Sequence, residues 1–397
     1  MTKWAMDDRD AIVRPDYQGG SIVNLMSSIH GALASGPHAY PALTALPSQA
    51  LAEARHIVLI ALDGLGYHYL RAQDPAGSLN RHLLGSMTSV FPSTTAAAIT
   101  TFLTGTAPQQ HGLTGWFMYL RELGMVAAVL PFRSRAAWLS LGQGGIDARE
   151  ILGCTPFADT LSVNAHVVTQ QRILHSDYSR ATAGRARRHG YGTMDGFFDR
   201  IAGLLEGARE PSFIYGYWPE FDALSHQHGV ASPLVFAHYQ ELDAAYGRFL
   251  ERIQGTGAAI VVTADHGFVD TTPPDYVELA DHPELADCLA LPLCGEPRAA
   301  YCYVRPEKVA HFKSYVQDRL ADRCWLYRSE ELFHGGFFGR NTPHPRLLDR
   351  IGDYVLLMKD RYAIKDSVVG EKRFRPVGLH GGVSAEEMLV PLIVASP

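Results

Sequence analysis

The chain has 397 residues, 47% of them hydrophobic and 19% charged, which is enough apolar material for one large core or two. A net charge of −6 leaves no electrostatic footprint for a nucleic acid polymer, and the one dense basic run, RARRHG at 185–190, reads as solvated surface. The opening residues lack a basic segment followed by an apolar one, and no apolar run is long enough to cross a bilayer, so a cytoplasmic protein without a membrane partner is expected.

In chain order, HIVLIAL at 56–62 is the first predicted strand. The stretch SVFPSTTAAAITTFLTG (89–105) follows, and its small and apolar residues recur at helical spacing from Thr95, so Ser93, Thr94 and Thr95 compete for the N-cap of a helix near 95–105. A helix near 193–208 precedes a strand at 212–218. A helix at about 232–254 is expected to bury one face marked by Leu234, Phe236, Tyr239, Leu242, Tyr246, Phe249 and Ile253. Further strands are predicted at 258–264, 298–304, 354–360 and 388–395. Short β-branched runs alternating with longer helical patterns indicate an α/β sheet covered on both faces. Segments 121–192 and 271–375, richer in Arg, Pro, Gly and aromatics, read as insertions forming a lid or cap on a single domain spanning 1–397. Five cysteines without CxxC spacing indicate neither a disulfide framework nor a thiolate zinc site.

Three predicted strands each run into an aspartate: Asp63, Asp222 and Asp265. In a mostly parallel sheet, ligands bind beyond the carboxyl ends of the strands, so the three can converge. Close carboxylates stay ionised together only around something positive, and a divalent metal is the usual solution. Asp222 and His226 share a helical face, Asp265 and His266 are adjacent before Gly267, and His380 sits in GLHGGVS. Three Asp and three His suggest two ion sites with mixed N/O ligands, zinc first and manganese second.

These ordered motifs resemble the alkaline phosphatase superfamily, and within it the nucleotide pyrophosphatase/phosphodiesterase and phosphonoacetate hydrolase branch. They are LIALDG, PSTTAAAITTFLTG, HG, Asp222 with His226, TADHG and GLHGG. The resemblance implies a three-layer α/β/α sandwich with a largely parallel central sheet and two divalent ions. It assigns one ion to Asp222, His226 and His380, and the other to Asp63, Asp265, His266 and the nucleophile's oxygen. At the spacing that family keeps between its nucleophile and a closing Thr–Gly pair, here Thr104–Gly105, the resemblance implies Thr95 as the nucleophile, with Thr94 the second choice. Thr95 would attack phosphorus, and water would then release the phospho-threonine. Trp116 stands where related diesterases carry an asparagine, so it reads either as a stacking or pocket-lining contact to substrate or, equally, as a core tryptophan after a tight turn, with the oxyanion donor coming from elsewhere. Tyr119 and Arg121 are further candidates, Arg121–Glu122 reads equally as a surface pair, and His228 reads as a residue supporting the ligands or as structural.

The expected activity is cleavage of phosphodiester or pyrophosphate bonds in a small nucleotide-like molecule. A phosphomonoesterase or a phosphonate C–P hydrolase on the same core is the alternative, and a non-catalytic metal or nucleotide binder a third.

Overall fold

The computed structural model describes residues 12–34, 36–371 and 375–397. The reading of the first eleven residues therefore lies outside the described residues, as do 372–374 of the 271–375 segment.

A seven-stranded sheet forms the centre. His56–Leu62 lies between Ser212–Trp218 and Ala258–Thr263, parallel to both. The first and third of these strands are buried along their whole length, which is why their sequences are continuous apolar runs rather than alternating ones. Leu389–Ala395 pairs antiparallel with Ala258–Thr263, and Leu83–Thr88 pairs antiparallel beyond it. Asn164–Gln170 and Arg187–Tyr191 extend the other side in parallel. One helical group, with Ile22–Leu33 and Thr95–Thr104, and another, with Met194–Glu206, Glu220–His228 and Pro233–Arg252, cover the sheet as outer layers. Among the described residues, no helix is long and apolar enough to cross a membrane.

A second seven-stranded sheet lies outside this core and is antiparallel throughout. It contains Ala299–Cys302 and Tyr354–Met358, the two strands predicted at 298–304 and 354–360, together with Phe117–Leu120, Met125–Ala128, Arg133–Ser134, Cys294–Glu296 and Cys324–Arg328. The 121–192 segment, expected as one insertion, divides between the two sheets, because 125–134 joins the second and 164–191 completes the first.

Two local expectations change. Leu234 and Phe236 are exposed, because they flank the buried stripe of Val235, Tyr239, Leu242, Tyr246 and Phe249 in the first turn of Pro233–Arg252. The basic run is not simply solvated: Arg185 donates to the carbonyls of Ala158, Leu161 and Val163, and the following residues form the edge strand.

Candidate active site

The three central strands end level. Ala61 is opposite Thr263 and Leu62 opposite Trp218, so Asp63, Asp265 and the helix carrying Asp222 and His226 emerge side by side. His380 arrives from the far end of the chain because Gly378–Leu379 pairs antiparallel with Val269–Asp270, just after His266. Its ring stacks on His266 at 3.7 Å between centroids and 19° between planes. The loops beneath cross at glycines: a Cβ on Gly66 would come within 2.7 Å of the Gly267 Cα, and one on Gly267 within 2.0 Å of the Glu386 carbonyl oxygen.

Each histidine sets one ring nitrogen against a backbone carbonyl. His226 Nδ1 lies 2.8 Å from Gly378 O, His380 Nδ1 3.2 Å from Ser93 O and His266 Nδ1 3.1 Å from Gly267 O. An N–H at those positions leaves each Nε2 with a lone pair facing the site. His226 Nε2 and His380 Nε2 are 3.2 Å apart, and Asp222 Oδ1 is 3.4 Å from the first and 3.7 Å from the second. On the other side, His266 Nε2 is 3.4 Å from both Asp63 Oδ1 and Asp265 Oδ2. Asp222, His266 and His380 form one group whose donor atoms lie within 4.8 Å of one another, and Asp63, Asp265 and His266 form another.

The electrostatics fit a cation there. Asp63 Oδ1, Asp222 Oδ1 and Asp265 Oδ2 are buried without a hydrogen-bond partner, an arrangement that costs free energy unless a positive charge lies among them. Burial, then Asp265 and Asp222, pushes the Asp63 carboxyl well above the usual carboxylate range. Burial raises Asp222 against the pull of His226 and His266. His380 is driven well below the ordinary imidazole value by burial and then by its two histidine neighbours. A divalent ion held here would offset the charge of the carboxylates, and the neutral imidazoles are suited to serve as its ligands.

Thr95 opens the helix Thr95–Thr104, and its Oγ1 lies 3.2 Å from His266 Nε2. The other hydroxyls of this stretch are engaged elsewhere. Thr94 is the N-cap by backbone geometry, yet its hydroxyl donates to Glu296 Oε1 at 2.6 Å instead of accepting from the helix. Ser93 donates to Gly382 O at 2.8 Å, and Thr100 and Thr104 donate to carbonyls one turn back, at 2.6 and 2.8 Å. Thr101 lies 3.3 Å from His111.

Two cavities open on the site. One of about 950 Å³ extends toward the second sheet, and one of about 350 Å³ runs between the Thr95–Thr104 helix and the strands at 164–170 and 212–218. Trp116 lines both. Tyr119 and Arg121 line neither: Tyr119 packs edge-on against Tyr303, and Arg121 pairs with Asp349 at 2.9 Å. Glu122 pairs instead with the buried Arg350 at 2.8 Å, so Arg121–Glu122 is not a pair. His228 belongs to neither donor group.

Three contributors escape sequence reasoning. Tyr217 donates its hydroxyl to Asp63 Oδ2, and the alternation of SFIYGYW, which puts Tyr215 and Tyr217 on one face, was the available signal. Glu296 accepts from both Thr94 and the Trp116 backbone N–H, the latter at 2.7 Å; its signal was one acid, with Arg298 the one base, in the largely apolar LCGEPRAAYCYV. Glu387 forms a fully buried fork with Arg298 at 2.8 and 3.0 Å and also accepts from Gly382 N at 2.8 Å, next to His380.

A family model, that of type I phosphodiesterase / nucleotide pyrophosphatase, matches residues 57–382. The chain belongs to this family. The type I phosphodiesterase / nucleotide pyrophosphatase match runs from the first strand through His380, so every candidate ligand lies inside it. Membership makes the protein a metal-dependent hydrolase of phosphoric esters. No curated protein matches by sequence. Among solved structures, the chain is similar to murine ectonucleotide pyrophosphatase / phosphodiesterase 5, at 18% identity over 86% of this chain and 88% of that one, with a TM-score of 0.64. The same mouse protein in an inactive form with AMP gives 0.62 at 18% identity, covering 85% and 87%. Phosphonoacetate hydrolase from Sinorhizobium meliloti 1021 with phosphonoformate gives 0.62 at 20% identity, covering 86% and 90%. At such identities the likeness establishes the shared fold.

Proposed function

We propose that this family member is a two-metal hydrolase that cleaves phosphodiester or pyrophosphate bonds of a small, nucleotide-like substrate through a phospho-threonine at Thr95. The observation that carries the reading is the position of the Thr95 hydroxyl, at a helix N-terminus and 3.2 Å from His266, beside three carboxylates that each carry a buried, unpartnered oxygen. Asp222, His226 and His380 would hold one ion, and Asp63, Asp265, His266 and Thr95 the other, with zinc first and manganese second on the mixed N/O donor set. When bound, such ions lower the pKa of an oxygen ligand and neutralise charge developing on phosphorus and the leaving oxygen.

The chain's own residues do the rest. Thr95 supplies the oxygen that attacks phosphorus, and the start of its helix favours an anion there. Thr94, whose hydroxyl is spent on Glu296, is the weaker choice. Tyr217 and the backbone carbonyls at 93, 267 and 378 orient the ligands. Water then attacks the phospho-threonine and regenerates the hydroxyl. The AMP complex of the mouse relative favours a nucleotide-like substrate, and the phosphonoformate complex of the bacterial relative keeps a phosphonate hydrolase as the second reading. A cytoplasmic location is supported by five cysteines that are all unpaired.

The test is turnover of bis-p-nitrophenyl phosphate, p-nitrophenyl phosphate and a nucleotide p-nitrophenyl ester by zinc-loaded protein, alongside Thr95→Ala and Thr94→Ala. Loss of activity only in Thr95→Ala is expected. Diesterase activity that survives Thr95→Ala and vanishes in Thr94→Ala moves the nucleophile. No turnover of any ester refutes the reading, and metal analysis giving fewer than about one ion per chain refutes the two-ion part.

A further inference from the structure

The two cavities share three lining residues: Thr95, Trp116 and Asp222. Thr95 and Asp222 belong to the proposed reacting centre, so among the described residues Trp116 is the only other one that lines both spaces. It lines both a smaller space with Ile99, Leu103, Tyr178 and Arg188 and a larger one with Trp138, Asp366 and Glu371.

Trp116 is held in place from its backbone. Glu296 Oε1 accepts the Trp116 N–H at 2.7 Å and the Thr94 hydroxyl at 2.6 Å, so a single oxygen ties the indole's backbone to the residue before the proposed nucleophile. Close packing reinforces this, since a Cβ on Gly381 would lie 2.6 Å from the Glu296 Cβ and one on Gly115 2.7 Å from the Gly295 Cα. Arg135, on the wall of the larger space, is committed to that wall. It donates to Leu293 O at 2.6 Å, Asp366 at 2.5 Å and Glu371 at 2.8 Å, and lies over the Phe117 ring at 4.2 Å.

We propose that Trp116 is a partition that seats one substituent of a disubstituted phosphoryl group on each side, making this chain selective for diesters and pyrophosphates over monoesters. This rests on the reading of Thr95 as the attacking residue. A phosphoryl group at Thr95 then has an opening on either side, and the indole keeps each arm in its own space. A monoester has one arm and gains from one compartment only. An arm free to swing leaves the reacting atoms out of alignment, and misplacement on the order of 1 Å can cost about a hundredfold in rate.

The experiment compares kcat/KM for bis-p-nitrophenyl phosphate and p-nitrophenyl phosphate in zinc-loaded wild type, Trp116→Ala and Trp116→Phe. The ratio of the two values is read within each protein, so partial unfolding or metal loss cancels. Wild type is expected to favour the diester, Trp116→Ala to lower the ratio at least about tenfold, and Trp116→Phe, which keeps a flat wall, to retain most of it. A wild-type ratio below one, an unchanged ratio in Trp116→Ala, or an equal loss in Trp116→Phe overturns the partition. Should wild type turn over neither ester, or Thr95→Ala keep full activity, the Thr95 reading falls and takes the partition with it. An unmoved ratio in an active, Thr95-dependent enzyme removes the partition alone.

Discussion

Replacing Arg298 with methionine should destabilise the protein by about 3–5 kcal/mol, the cost of leaving one member of a buried ion pair without its partner. Arg298 and Glu387 are 1% and 0% exposed. The guanidinium donates to both carboxylate oxygens, and Nη1 adds the Tyr362 carbonyl at 2.7 Å. Without it, Glu387 keeps two backbone donors, Gly382 at 2.8 Å and Ser384 at 3.4 Å, which do not neutralise a charge. Burial pushes the Glu387 carboxyl up, but the charge and hydrogen bonds of Arg298 outweigh it and hold it below its usual value. A lowered carboxylate pKa gives stability that is present above the unfolded value near 4.5 and is lost as pH falls through the folded one, so the pair is intact at pH 7. For 397 residues the unfolding entropy near 60 °C is about 0.8 kcal/mol per degree, so Tm should fall by about 4–6 °C in a calorimetric scan. The double variant Arg298→Met, Glu387→Met should lose distinctly less than the sum of the singles. A Tm change under about 1 °C in Arg298→Met, or additive losses in the double variant, would refute the reasoning. Because Glu387 holds Gly382, Gly382 O accepts from Ser93, and Ser93 O holds His380, Arg298→Met should also raise the zinc concentration for half-activation.

Tyr217→Phe removes the donor to Asp63 Oδ2 and should weaken zinc binding about 10–100-fold in a chelator competition; unchanged affinity would discard that role. Stripping the ions with a chelator should lower Tm, and zinc restored at about 100 times its Kd should return about 2.7 kcal/mol, or roughly 3 °C for a chain of this length. A Tm indifferent to zinc counts against ions at the unpartnered carboxylates. Burial lifts Glu296 to about 7, against the hydrogen bonds from Thr94 and Trp116, so in metal-free protein its contribution falls as pH rises from about 4.5 and levels off above about 7. Glu296→Gln should therefore gain on wild type across that window, by up to about 3 kcal/mol, and a Tm difference that stays constant between pH 5 and 8 would contradict this.

The sequence was most informative where both faces of an element are buried. HIVLIAL and AAIVVT could be read directly, and so could the aspartates following them, because a parallel central strand must be apolar throughout and its carboxyl end is where ligands gather. The edge strands were not legible: NAHVVTQ and RRHGY face solvent in part and carry polar residues that break any run. Nor could a local pattern tell that 299–302 and 354–358 pair outside the main sheet, since sheet membership is a long-range property of pairing. The candidate ligand residues came from motif order. Tyr217, Glu296 and Glu387 did not, because each acts through contacts with residues between 89 and 202 positions away in the chain.

The glycine crossing beneath the ligands bears on how this protein can be altered. With Gly66, Gly267 and the Glu386 carbonyl in mutual contact, there is no room for even a methyl group under the aspartate and histidine loops. Substitutions meant to broaden the range of accepted esters belong instead around Trp138, Leu293 and Ile364, where cavity walls can change size without shifting a single donor atom. A mutant library confined to those walls should yield folded, metal-loaded enzymes with new preferences, whereas one spread over the loops should yield mostly empty or unfolded chains.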